Sequence, residues 1–313
     1  MHAWLAKSID WCVIQLAARH AVRIEPAPGP EPEAEGGIKL RDGWPGHSGL
    51  RLEHWSLGAD GSFQFASPVN TAAPENNTVF GRFYPADKAW QTRPTVVLLH
   101  GWNADFCYRR LFPRLAARLN RVQVNTVMIE LPYHMQRRPH YGPVRDFISS
   151  NVPRMLEATQ QAVAETRALV RWLREQGSPA VGLWGISLGG WLAGLAAQLE
   201  PCLGFVVLMT PIARIDRVIA ELPFCEPVRR GLGQHALDFQ SLNLAAAKPV
   251  LDPEHILIVE SRHDLFAPPD TLEELWRAWD QPEIWRFRHG HISLLMSRPI
   301  MARTIEWVAR QGR

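Results

Sequence analysis

The run Gly182-Leu-Trp-Gly-Ile-Ser-Leu-Gly-Gly190 places one serine, Ser187, two residues after Gly185 and two residues before Gly189. Ordinary globular sequence has no need of that spacing. A turn so tight that side chains at both flanking positions would collide does need it. The apolar stretch Val181–Trp184 precedes the turn and a second apolar stretch starts at Leu188, so the turn joins a strand to a helix. A serine at the tip of such a turn is held in a strained conformation with its hydroxyl exposed. The helix N-terminus behind it favours negative charge developing nearby. That is a seat for a nucleophile.

The surrounding pattern says what kind of fold carries the turn. Residues 95–99, 125–131, 181–184, 203–209 and 255–260 are short, continuous apolar runs. Such runs read as strands buried on both faces, which means a parallel sheet. Helical stretches separate them, over 108–119, 152–176 and 188–199, the second with Pro153 in its first turn and Gly177 after its end. Across residues 95–311 this alternation predicts a doubly wound α/β sheet. Its ligand site should lie at the carboxyl ends of the strands. Upstream, residues 50–55, 62–66 and 77–84 alternate with period two, as antiparallel strands with one wet face do. Residues 133–151 and 212–250 break the alternation, and each starts at a strand's carboxyl end, which makes both candidates to roof the site.

With 46% hydrophobic and 21% charged residues, the 313-residue chain can bury a sizeable core. Its net charge of +3 is spread among interspersed signs, which argues against a nucleic-acid partner. Cys12, Cys107, Cys202 and Cys225 show no paired spacing and read as reduced thiols of a cytoplasmic protein. The first 25 residues have no cleavage pattern, and Asp10 interrupts their apolar stretch, so neither a secretory signal nor a membrane span is expected there. Leu5, Ile9, Cys12, Val13 and Leu16 fall on one helical face. That face is expected to dock on the chain's own domain. Contact with a membrane surface through residues 1–22 is the alternative, weakened because the opposite face is not rich in Lys or Arg. Residues 26–37, dominated by Pro, Gly and Glu, read as an extended linker. The expected organisation is an N-terminal helix and linker over 1–49 and an α/β domain over 50–313.

Serine is a poor nucleophile unless a base lies near it. In this architecture the order is serine, acid, histidine. Asp264 sits in the loop just past the strand ending at Glu260, with Pro268 to fix the turn, and is the expected acid. Asp252 precedes that strand, and Asp270 with Glu273 reads as a helix cap, so both are less well placed. After the last strand, Glu283–Arg288, comes His289-Gly290-His291. His291 is the expected base, since Gly290 frees its loop to swing over Ser187; His289 is the competitor. An oxyanion hole needs two backbone N–H donors. Leu188, next to the nucleophile, supplies one, and Trp102 in the turn His100-Gly101-Trp102-Asn103 supplies the other. Gly101 permits that turn, and His100 is expected to brace the loop rather than act chemically.

These motifs, in this order, resemble the α/β-hydrolase superfamily: His100-Gly101-Trp102, Gly185-Ile-Ser-Leu-Gly189, Asp264 with Pro268, and Gly290-His291. The resemblance covers roughly residues 77–311, and Glu130-Leu-Pro-Tyr-His134 makes it similar to bacterial members of a branch known mainly by its domain. It implies hydrolysis of an ester, thioester or amide of a small molecule through an acyl-enzyme, with no cofactor. An acyltransferase would use the same triad with an alcohol or amine in place of water. A non-catalytic binding protein would be marked by a missing nucleophile or histidine, and neither is missing. Trp102, Phe106, Tyr133, Trp184 and Trp191 are candidates for an apolar acyl pocket, with Trp184 better placed as core. His134, Arg137, Arg138, His140 and Arg145 are read as a solvated loop face, with anion binding as the alternative. The histidines show no metal-binding spacing on a helix.

Overall fold

The computed structural model describes residues 1–24, 52–102, 104–140, 146–232 and 239–312. The expected linker over 26–37, Asn103 and Arg145 lie outside the described residues. The strands are β1 (Glu53–Leu57), β2 (Ser62–Ala66), β3 (Thr78–Tyr84), β4 (Thr95–Leu99), β5 (Asn125–Ile129), β6 (Val181–Ile186), β7 (Phe205–Met209), β8 (Ile256–Ser261) and β9 (Glu283–Phe287). The helices are α1 (Ala3–Ile24), α2 (Ala104–Phe106), α3 (Phe112–Arg121), α4 (Val152–Glu175), α5 (Leu188–Ala197), α6 (Ile215–Glu221), α7 (Glu226–Leu232), α8 (Pro269–Ala278), α9 (His291–Leu295) and α10 (Arg298–Gln311).

The strands form one nine-stranded sheet in the order β1-β2-β3-β5-β4-β6-β7-β8-β9. The strands β1, β2 and β3 run antiparallel, and β3 joins β5 antiparallel; from β5 to β9 every pairing is parallel. The hydropathy pattern marks the same division. Every residue of β4, β5, β6, β7 and β8 is buried, because helices cover both faces of the parallel part. Burial alternates along β2 and β3, where one face meets the core and the other does not.

Chain order reverses direction at β4: β5 lies on one side of it and β6 on the other. A crevice opens outside the carboxyl ends of the strands at such a switch point. The loops after β4 and β6, which carry Gly101 and Ser187, flank it.

Three local expectations are corrected. The helix expected over 108–119 begins earlier, as α2, passes through a wider π turn over Cys107–Leu111, and continues as α3. Asp270 is not the cap of α8: that position is Pro268, and Asp270 lies in the first turn with its carboxylate on Arg217. The solvated loop face expected over 134–140 is partly interior. Arg137 is fully buried and grips Glu165 of α4 through both terminal nitrogens, at 2.7 and 2.6 Å. His134 is buried as well, its Nδ1 on the Pro132 carbonyl at 2.8 Å. A charged pair survives burial when its geometry is bidentate and further acceptors meet the cation, as the Glu130 and Asn76 carbonyls meet the two terminal nitrogens here.

The helix α1 packs on the domain, but only through one edge of the face read from sequence, where Ile9 and Val13 are half-buried and Val13 packs against the core. Ala6, Asp10 and Ile14, spaced four apart, are buried. Leu5, Cys12 and Leu16 face outward with Trp4 and Trp11, which are 68% and 57% exposed. Among the described residues, no helix is long and apolar enough to cross a membrane.

Candidate active site

Ser187 sits between the end of β6 and the start of α5 with φ 55° and ψ −115°, a region that a non-glycine residue rarely occupies. The two flanking glycines make this possible by letting backbones touch. A Cβ on Gly185 would lie 2.1 Å from the Gly189 carbonyl oxygen, and one on Gly189 would lie 2.2 Å from that of Leu99. The turn is pinned on both sides: the Ser187 N–H donates to Met209 of β7 at 3.0 Å, and the Trp191 N–H donates to the Ser187 carbonyl at 3.0 Å.

The loop after β4 lies against this serine. A Cβ on Gly101 would be 3.3 Å from the Ser187 Cβ and 3.9 Å from its Oγ. Trp102 follows Gly101 in that loop, and Leu188 is the first residue of α5, whose leading N–H groups have no acceptor within the helix. His100 is the brace expected of it. Its Nε2 accepts the Leu131 N–H at 3.1 Å, so its Nδ1 carries the proton and donates to the Gly101 carbonyl at 2.7 Å. Burial, aided by the neighbouring His134, holds its pKa well below the usual value, so it stays neutral.

Asp264 and His291 meet across the ends of β8 and β9. The His291 Nδ1 lies 2.8 Å from the Asp264 Oδ2, and both side chains are buried. The other carboxylate oxygen of Asp264 accepts the N–H groups of Phe266 and Ala267, each at 2.8 Å. A carboxylate held this way accepts the imidazole Nδ1–H, which leaves Nε2 available as a base. Burial opposes charge on the ring, but the charge and hydrogen bond of Asp264, helped by Asp10, outweigh it, so the pKa of His291 is raised. His289 does not share this position; its N–H bonds the Phe287 carbonyl and its own carbonyl accepts from His263.

Ser187 and His291 line one cavity of about 320 Å³ with Gly101, Trp102 and Leu188. Its remaining wall is almost wholly aliphatic and aromatic. Both segments expected to roof the site contribute to it, Ile148 from one and Ile212, Ile215, Val218, Leu222 and Phe224 from the other. Trp102 stacks on Phe224 with centroids 4.8 Å apart, and Phe266 lies 4.7 Å from the His291 ring. Of the aromatics considered for a pocket, Trp102 and Phe106 are in this wall. Trp184 is core, Trp191 is tied through its indole N–H to the Leu242 carbonyl, and Tyr133 lines a different cavity under Arg154. Cys107 also lines the site, but burial pushes its thiol up to about 11, so it stays a neutral thiol. A wider cleft of about 1160 Å³ beside β2 and β3 contains none of Ser187, Asp264 and His291.

Sequence reasoning missed one residue at this corner. Asp10, used above only to discount a membrane span, accepts the His291 N–H at 2.8 Å. The available signal was an acid on the small-residue face of α1, between Ala6 and Ile14. Gly290 also has a different role from the one expected. Its backbone is extended (φ −91°, ψ 178°), which any residue adopts, but a Cβ there would lie 2.8 Å from the Ala6 carbonyl oxygen and from Asp10. It is glycine because α1 approaches so closely.

A family model described as alpha/beta hydrolase domain containing 18 matches residues 54–230. Two uncharacterized proteins of Mycobacterium tuberculosis are 28% identical over 225 residues, 67% of this chain and 52% of theirs. The chain thus spans about half the length of the curated relatives it matches. Among solved structures, acetyl xylan esterase from Paenibacillus sp. R4 superposes with a TM-score of 0.58 at 14% identity, over 92% of this chain and 98% of that one. The Pyrococcus furiosus esterase Pf2001 gives 0.53 at 16% identity, over 90% and 99%. Est1E from Butyrivibrio proteoclasticus gives 0.52 at 14%, over 75% and 94%. At these identities the likeness shows a shared α/β-hydrolase fold.

Proposed function

Since the chain belongs to the alpha/beta hydrolase domain containing 18 family, we propose that it is a serine hydrolase that cleaves a carboxylic ester or thioester of a small molecule. The observation that carries this reading is the buried 2.8 Å bond between His291 and Asp264, set in the same cavity as a serine with φ 55°. A buried imidazole–carboxylate pair and a strained serine have little structural merit apart from each other.

In this reading the Ser187 Oγ attacks the acyl carbonyl while the His291 Nε2 takes its proton. Asp264 holds the ring and stabilises the imidazolium that forms. The carbonyl oxygen becomes an oxyanion that the Trp102 and Leu188 N–H groups bind. The tetrahedral species collapses, His291 returns the proton to the departing alkoxide or thiolate, and the acyl group stays on Ser187. Water then attacks the acyl-enzyme with His291 again as base, releasing the acid. The apolar wall of Phe106, Ile212, Val218 and Leu222 suits an apolar acyl group and excludes water from the oxyanion.

The test is fluorophosphonate labelling of wild type beside Ser187→Ala and His291→Ala, followed by p-nitrophenyl esters of increasing chain length. Labelling confined to the wild type is the expected result, and equal labelling of Ser187→Ala overturns the assignment. Product analysis with added alcohol or amine acceptors separates hydrolysis from acyl transfer.

A further inference from the structure

The helix α1 reaches into the corner that holds His291 through a carboxylate the mechanism above does not use. Asp10 is fully buried. Its Oδ2 accepts the N–H of His291 at 2.8 Å and that of Leu265 at 3.2 Å, and its Oδ1 accepts the N–H of Ile292 at 3.1 Å. Leu265 directly follows Asp264, so one carboxylate grips the main chain on both sides of the His291–Asp264 bond. We propose that Asp10 is a positioning residue that holds His291 and Asp264 in register through the backbone amides of His291, Ile292 and Leu265, which makes α1 part of the active site. The consequence for turnover rests on the serine-hydrolase reading.

Three features support the assignment independently. The first is capping. The helix α9 begins at His291, and the leading N–H groups of a helix have no acceptor inside it. The preceding residue, Gly290, has no side-chain oxygen to offer, and Asp10 supplies the acceptor from 281 positions away in the chain. The second is steric. The approach is cleared on both sides, by Ala6 on α1 and by Gly290 on the loop, where a Cβ would lie within 2.9 Å of both Asp10 oxygens. The third is charge. A buried carboxylate is costly unless donors meet it, and the groups meeting these oxygens are N–H donors, the complement of the ionised form. Burial pushes the pKa of Asp10 up, and the amides of Ile292 and His291 pull against it. The charged groups facing His291 are Asp264 from the loop after β8 and Asp10 from α1; those facing Asp10 are Asp264 and His291. A neighbouring Val13 places α1 in the wall of the cavity as well.

The experiment uses the full chain carrying Asp10→Ala or Asp10→Asn, with ester hydrolysis measured across pH and the His291 imidazole titrated by NMR. Asp10→Ala is expected to lower kcat by about tenfold to a hundredfold, the scale of a small misplacement of reacting groups, with KM changed less than kcat. Asp10→Asn keeps the size and removes the charge. It is expected to move both the acid limb of kcat/KM and the His291 titration to lower pH by about half a unit or more. A carboxylate that only stabilised the fold would leave kcat of the folded variants at the wild-type value. Should Asp10→Ala fail to fold, Asp10→Asn decides. Wild-type kcat and an unmoved His291 titration in Asp10→Asn overturn the proposal. If wild-type protein takes no fluorophosphonate label, the hydrolase reading falls, and the NMR titration still decides the role of Asp10.

Discussion

Ser187 and its surroundings come from one contiguous stretch, residues 181–191, laid against the end of β4 at Gly101. The corner opposite is drawn from residues 10, 264–267 and 290–292, three segments with no proximity in sequence. The first corner is local: its geometry follows from glycines that remove side chains where a strand and a helix meet. The second is assembled: each member is held by hydrogen bonds to chain that is distant in sequence. The matched family stretch, residues 54–230, contains the first corner and ends before Asp264 and His291. A chain can therefore carry the signature of this fold in one region while Asp264 and His291 are brought together by packing elsewhere.

Breaking the contrast at its chemical centre should give the largest effect. Ser187→Ala is expected to lower ester hydrolysis by about 10,000-fold or more, measured as kcat/KM on the best p-nitrophenyl ester. Asp264→Asn should approach that loss, because an amide at that position can no longer fix the Nδ1–H tautomer of His291. If Asp264→Asn retains more than about a tenth of the activity, the acid lies elsewhere.

A smaller effect separates local from assembled geometry. Gly185→Ala places a methyl 2.1 Å from the Gly189 backbone. It should destabilise the fold by about 2–3 kcal/mol, read as a lower midpoint in urea unfolding. Gly290→Ala meets α1 instead, so it should loosen the helix and lower kcat while costing less in global stability. Equal stability losses in the two variants would erase the distinction between the corners.

The pH profile follows from the raised pKa of His291. The base works only when neutral, so kcat/KM should fall as pH drops through a value above the ordinary 6.5. The same shift gives a linked stability term. It is present below pH 6.5, where the folded state binds the proton more tightly, and fades as pH rises through the folded pKa. An acid limb below 6.5 would mean that burial, not Asp264, dominates the ring.

The smallest effect is expected on the outer face of α1. Trp4→Ala and Trp11→Ala remove side chains that are 68% and 57% exposed. They should leave activity unchanged and stability within about 0.5 kcal/mol, unlike changes at the inward-facing Asp10. Vesicle co-sedimentation of the same variants tests the membrane contact considered for residues 1–22; equal pelleting of wild type and variants counts against it.

The sequence by itself determined the buried strands and the tight turn at Ser187, because both are short-range. Continuous apolar runs specify strands buried on two faces, and two glycines around a serine specify one tight turn. It also pointed to Asp264 and His291 through their places after successive strands. Hydropathy on α1 misled in part, since Leu5 and Leu16 are more apolar than Ala6 and Asp10, yet Ala6 and Asp10 face inward beside Ile14 while the two leucines are exposed. Close packing against Gly290 rewards small size over hydrophobicity, and no local pattern expresses that. Only the tertiary structure decided that Arg137 would be interior, that Gly290 would clear a path for α1, and that Asp10 would meet His291. Each depends on which distant segments share a neighbourhood, and that is set by the packed whole rather than by the spacing of residues along the chain.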